Sequence, residues 1–151
     1  KRMDENQALG ALCKAMSVCP VHRRYLLADI NTMLIPPIRL KQFFFFEGNR
    51  QYGAVTWAFL NEAAAEKHVQ NQVPLTLPEW QSGDQLWIIS LIGHRIRPAR
   101  LVSKIAEKLP HKSAKYIRRD NRMHVKKIVT LTKQNGRLIP SVKHLAAQSQ
   151  H

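Results

Sequence analysis

Carboxylates are scarce in this chain. Ten Asp and Glu stand against 24 Lys and Arg in 151 residues, which gives a net charge of +14 and a pI near 10.4. An excess of this size implies an acidic partner, whether nucleic acid, an anionic membrane or an acidic protein. Cysteine is nearly absent. Cys13 and Cys19 are the two in the chain, and their spacing suits neither a disulfide framework nor a metal site. Each is expected to be a small buried hydrophobe in a reducing cytosol. No apolar run approaches the ~20 residues of a membrane-spanning helix, and no secretory pattern stands at the start. The expectation is a cytoplasmic protein without stable membrane insertion and without a metal. Internal repeats, low-complexity segments and dividing linkers are also missing. With 44% hydrophobic residues, the chain reads as one domain, 1–151, with a real core.

Residues 4–18 have helical periodicity, with Leu9, Leu12, Cys13 and Met16 on one stripe. Pro20 ends that piece. A second helical piece carries His22, Leu26, Ile30 and Met33, and Pro36-Pro37 are expected to stop it. Phe43 to Phe46 fit a strand covered on both faces, "GNR" a hairpin turn and "QYGAVTWAFL" the returning strand. Asn61 suits the N-cap of "EAAAEKHVQN". "QLWIISLI" is a buried strand, followed by the basic loop "GHRIRPA" and a helix "RLVSKIAEKL" that Pro110 closes. "AKYIRRD" and "HVKKIVTLTK" read as strands and "QNG" as a turn, while the tail after Pro140 has no clear pattern. The mixture predicts an α+β (α/β) domain around one mixed sheet flanked by helices.

Three stretches set polar residues beside apolar strands: "CPVHRR", "SGDQLWII" and "GHRIRPARL". On composition, Asp84 in the second is a turn residue bonding its own backbone. The third joins arginines to a helix start, an arrangement that suits a phosphate or a solvated basic loop equally.

Taken together, "CPVHRR", "LIPPIRLKQF", "GAVTWA", "EWQSGDQLWII" and "LPHKSAKYIRRDNRMHVKKI" resemble the RTX toxin-activating lysine acyltransferases. That family's pattern runs S-P-x-H-R, L-P-x-I…Q-Y, A-Y-C-S-W-A, W-x-S-G-D-R-x-W-x-I-D-W, then P…I-R-x-D…H-V-x-K. The resemblance implies a GNAT-like fold and transfer of a fatty acyl group from acyl carrier protein to internal lysines of an RTX protoxin. It places the essential histidine on His22 and the essential aspartate on Asp84, and it suggests a homodimer. No cofactor is held permanently; the donor is the acyl-phosphopantetheine of the carrier. Arg23, Arg24, Arg39 and Lys41 are then candidates for docking the acidic carrier, and His94, Arg95, Arg97 and Arg100 for meeting the phosphate.

The residue types suit the task. A lysine ammonium, pKa ~10.4, must lose a proton before it attacks a thioester, and histidine is the usual acceptor. A carboxylate beside the imidazole would orient it. Departures from the family pattern are Lys14 and Met16 at its tryptophans, Cys19 at its serine, Met33 at its asparagine and Ile89-Ser90-Leu91 at its I-D-W. Cys19 is expected to cap the turn or fill space there and not to act as a nucleophile. A CoA-dependent acetyltransferase on the same fold is the first alternative, disfavoured by Pro98 where its phosphate loop would need glycine. A nucleic-acid-binding module is the second. It would need exposed aromatics among basic residues, whereas Phe43–Phe46, Trp57 and Trp87 lie in apolar runs.

Overall fold

The computed structural model describes residues 3–70, 73–119 and 125–145, with backbone alone at 125 and 126. Six strands form one sheet in chain order: β1 (Phe43–Gly48), β2 (Gln51–Leu60), β3 (Gln85–His94), β4 (Ser113–Arg119), β5 (Val125–Gln134) and β6 (Arg137–His144). Every neighbouring pair is antiparallel except β3–β4, which is parallel. A parallel pair needs a crossover connection. Here it is α5 (Pro98–Lys108), laid against one sheet face by Leu101, Val102 and Ile105. The opposite face carries α1 (Glu5–Val18), α2 (Ile30–Met33), α3 (Ile35–Leu40) and α4 (Glu62–Gln70). This is the mixed α/β architecture the sequence predicts.

Local chemistry explains most boundaries. Asp4 caps α1 and forms a reciprocal pair with Gln7. The buried stripe of α1 is Ala8, Leu12, Ala15 and Met16; Leu9 and Cys13 lie at its margin. Asn61 Oδ1 accepts the Ala64 N–H at 2.8 Å and starts α4 as expected. Asn135 and Gly136, both at positive φ, make the tight turn that returns β5 to β6. After Pro140 the strand β6 continues to His144, and residues 146–151 of the tail lie outside the described residues.

Two expectations are corrected. Residues 22–33 do not form one helix; they make turns over His22–Arg24 and Leu27–Asp29 before the short α2. Pro36 and Pro37 do not stop a helix but begin α3, where a missing N–H costs nothing. The phenylalanines divide between both faces, Phe43 and Phe45 toward α1 and Phe44 toward α5, but β1 is an edge strand and all four stay half-buried.

The β3–β4 junction positions the site. The two strands pair only at Trp87↔Lys115 and Ile88↔Tyr116. A bulge follows at once in β3, because Thr56 pairs with Ser90 and Trp57 with Ile88. A bulge bends its strand, and past it β3 and β4 share no further register, so the later half of β3 offers a free edge toward β4.

Candidate active site

At the end of α1 the chain turns out of the helix at Cys19, and Pro20 prevents its continuation. Arg23 N–H bonds the Cys19 carbonyl at 2.9 Å and Tyr25 N–H the His22 carbonyl at 3.1 Å. This tight turn folds His22 back under the helix end. Cys19 Sγ comes to lie 3.2 Å from His22 Nδ1, with both residues buried. The Gly93 backbone N–H also reaches the sulfur. Burial alone would raise the thiol's pKa, but the bond with His22, the Gly93 N–H and the imidazole charge lower it to about 6. Cys13 has burial and no such partner, and its pKa moves up.

Tyr25 continues the site, its ring 5.2 Å from that of His22. It opens onto a cleft of about 230 Å³ walled by Asp29, His68, Trp80, Ile89 and Arg119. Burial raises the Tyr25 pKa, with Asp29 and Cys19 pushing the same way and Arg119 opposing. Burial and the Arg119 charge hold the pKa of His68 down to about 4. Arg119 Nη1 is itself buried and has no hydrogen-bond partner among the described residues.

On the other sheet face a larger groove of about 890 Å³ runs between α5 and the β5–β6 hairpin. Leu91, Val102, Ala106, Tyr116, Leu131 and Leu138 make it largely apolar. Leu91 belongs to β3 and Tyr116 to β4, while Ile89 of β3 and Arg119 of β4 wall the smaller cleft. The two cavities therefore flank the β3–β4 gap from opposite faces.

The residues singled out from sequence are not all brought together. His22 is in the site. Asp84 is not beside it: Asp84 is exposed, immediately before the ten-residue β3, whereas Gly93, which touches Cys19, is that strand's ninth residue. At roughly 3.3 Å per residue the two ends stand about 30 Å apart, so Asp84 does not touch His22, a contact the sequence leaves open. The "WQSGD" stretch instead fastens the start of β3. Trp80 is buried, Ser82 and Gly83 N–H groups both bond the Phe59 carbonyl, and Ser82 Oγ accepts from Asn61 N–H. A Cβ on Gly83 would come within 2.5 Å of Asn61 N. Ser90 is the polar β3 residue nearer the His22 end. It is buried, cross-strand from Thr56, and both hydroxyls lack hydrogen-bond partners among the described residues.

Arg95 and Arg97 are exposed in the loop directly after β3, at the Gly93 end, with Arg95 at positive φ. Arg100 lies over the Phe46 ring at 5.9 Å. Arg23 and Arg24 are exposed beside His22, between the exposed apolar side chains Val21, Leu26 and Leu27. Arg39 and Lys41 are exposed at the far end of α3, next to β1. The four docking candidates thus belong to two separate elements. Sequence reading missed Tyr25, His68 and Arg119; His68 lay in the helical stretch "EAAAEKHVQN" and Arg119 in "AKYIRRD", with no role assigned to either. Residues 120–124 of the "IRRDNRMHV" stretch lie outside the described residues. Among the described residues no helix is long and apolar enough to cross a membrane.

The model of the RTX toxin acyltransferase family matches residues 1–133. The chain is 27% identical over 89 residues to the lysine-acyltransferase RtxC of Vibrio cholerae serotype O1, covering 58% of each chain. It is 30% identical over 100 residues to the leukotoxin-activating lysine-acyltransferase LktC serotype A11 of Mannheimia haemolytica, covering 66% of this chain and 60% of that one. It is 25% identical over 123 residues to the protein-lysine myristoyltransferase HlyC of Escherichia coli, covering 81% and 72% respectively. The match to the first two spans somewhat over half of each relative's own length.

Proposed function

The chain belongs to the RTX toxin acyltransferase family, and we propose that it is a cytoplasmic protein-lysine fatty-acyltransferase, taking its acyl group from acyl carrier protein and placing it on lysines of an RTX protoxin. The observation that carries this reading is the β3–β4 gap with a cavity on each face. The apolar groove on the α5 side, about 890 Å³, falls in the size range of ligand cavities, roughly 300–1,000 Å³. It suits an acyl chain. The smaller cleft near His22 and Tyr25 suits a lysine side chain arriving from the opposite face.

Each residue then has a task. The free edge of β3 offers backbone N–H groups to an extended pantetheine arm and to the oxyanion of the tetrahedral intermediate. Arg95 and Arg97, beside the first turn of α5, meet the phosphate of that arm. Arg23 and Arg24 with Val21, Leu26 and Leu27 form a mixed basic and apolar surface beside the site, the type an acidic carrier protein docks on. His22 takes the proton that the attacking lysine must lose, directly or through water. Asp84 has no part in this step. The names of relatives, which include a myristoyltransferase and a toxin activator, support the acyl and protoxin classes. Mixing the protein with acyl carrier protein bearing a myristoyl thioester and an RTX protoxin should yield amide-linked acyl lysines by mass spectrometry. Equal use of myristoyl-CoA would remove the carrier from the account.

A further inference from the structure

We propose that Cys19 and His22 form a nucleophilic dyad and that the acyl group passes through a thioester on Cys19 before reaching lysine. This deepens the acyltransferase reading above and rests on it. The geometry starts the case: Sγ lies 3.2 Å from Nδ1, within reach for proton transfer between nucleophile and base. Gly93 N–H points at the same sulfur, and a backbone donor there steadies a thiolate.

Nδ1 is thereby occupied by sulfur, and among the described residues no carboxylate hydrogen-bonds the ring. Asp29, the nearest acid in the cleft, accepts instead from Leu26 N–H at 2.7 Å. Cys19, its pKa lowered to about 6 by the contacts with His22 and Gly93, supplies a thiolate near neutral pH. Cys13, by contrast, sits on α1 without a basic partner and serves as an internal control.

The steps balance without oxidant or reductant. The Cys19 proton passes to His22 Nδ1, and the thiolate attacks the donor thioester carbonyl. The new S–C bond forms as the carbonyl–sulfur bond to the pantetheine breaks, and the departing thiolate takes the proton from His22. The lysine ammonium first loses one proton through His22 to solvent, and the free amine attacks the Cys19 thioester. An N–C bond forms, the Cys19–carbonyl bond breaks, and the second proton leaving the nitrogen returns through His22 to Cys19. Near-complete burial of both residues keeps water from the intermediate.

The test uses the full chain and myristoyl-acyl carrier protein without protoxin, quenched in acid and read by intact-protein mass. One acyl adduct should form, be released by neutral hydroxylamine, map to Cys19, persist in Cys13→Ala and vanish in Cys19→Ala. Cys19→Ala should also lose at least 100-fold in transfer to protoxin while keeping its circular dichroism. Undiminished transfer by folded Cys19→Ala, or wild-type transfer with no trapped adduct in a single turnover, overturns the relay while leaving the acyltransferase reading standing. Failure of the wild type to transfer from any thioester donor overturns both.

Discussion

Asp84 and His22 stand at opposite ends of β3, the carboxylate exposed ahead of its first residue and the imidazole packed near Gly93 through Cys19. A motif aspartate and a motif histidine in one sequence invite pairing as an acid–base couple, and roughly 30 Å of strand keeps these two apart. Asp84→Asn should therefore keep acyl transfer within about threefold of wild type, measured as kcat/KM with carrier-bound donor. A loss of two orders of magnitude in the folded variant would return Asp84 to the mechanism.

The neighbouring glycine carries a different consequence. Gly83 packs against the backbone where β2 meets α4, with Asn61 N 2.5 Å and the Leu60 carbonyl oxygen 2.6 Å from the place a Cβ would take. Backbone cannot yield as a flexible side chain does. Gly83→Ala should cost about 1–3 kcal/mol, read as a lowered urea midpoint with an unchanged slope. An unaltered midpoint would contradict the close approach.

Acid should loosen the cleft. The pKa of His68 in the fold is about 4, below its ordinary 6.5, so between those values the unfolded chain binds a proton that the folded one refuses. Stability falls as pH drops through that window. Glu79, held to about 2 by Lys67 and Thr76, adds its own loss only at lower pH. Cys19, its pKa lowered to about 6, also loses stability between pH 7 and pH 5, so urea midpoints at both pH values are compared between the wild type and His68→Gln. The wild type should weaken over this interval, and His68→Gln should weaken less. An equal decline in both would place the acid sensitivity elsewhere.

The basic loop should act through charge and selectively. Arg95 and Arg97 are exposed at the Gly93 end, whereas Arg100 lies against Phe46. The double change Arg95→Ala with Arg97→Ala should raise the KM for acylated carrier several-fold, and Arg100→Ala should leave it near wild type. The contrast should shrink as salt rises, because screening confines exposed charges to about 8 Å at physiological ionic strength. Equal effects of the two variants would indicate a general basic surface.

Much of the fold was legible because its signals are local. The Asn61 cap and the Asn135-Gly136 turn each depend on a few adjacent residues, and apolar runs such as "QLWIISLI" located the strands. Pro36-Pro37 misled because proline ends a helix from within yet opens one at its first turn. "WQSGD" carries a structural role of its own. Its residues hold the β2–α4 corner through Ser82, Gly83 and Trp80, and a folding requirement leaves the same mark in sequence as a catalytic one. The Cys19–His22 contact was present in "CPVH" as a three-residue spacing, but only the turn after α1 brings the sulfur onto the ring. Tyr25, His68 and Arg119 come from three elements distant in sequence, so no local pattern could assemble them.

The most direct measurement is the acylation state of an RTX protoxin co-produced with the wild-type chain or with His22→Ala, read by intact mass and by peptide mapping of modified lysines. The account predicts fatty-acyl amides on lysine with the wild type and at least a 100-fold reduction with His22→Ala, whose circular dichroism should match the wild type. A protoxin that stays unmodified beside the wild-type chain, or one equally acylated by the folded His22→Ala variant, would contradict it.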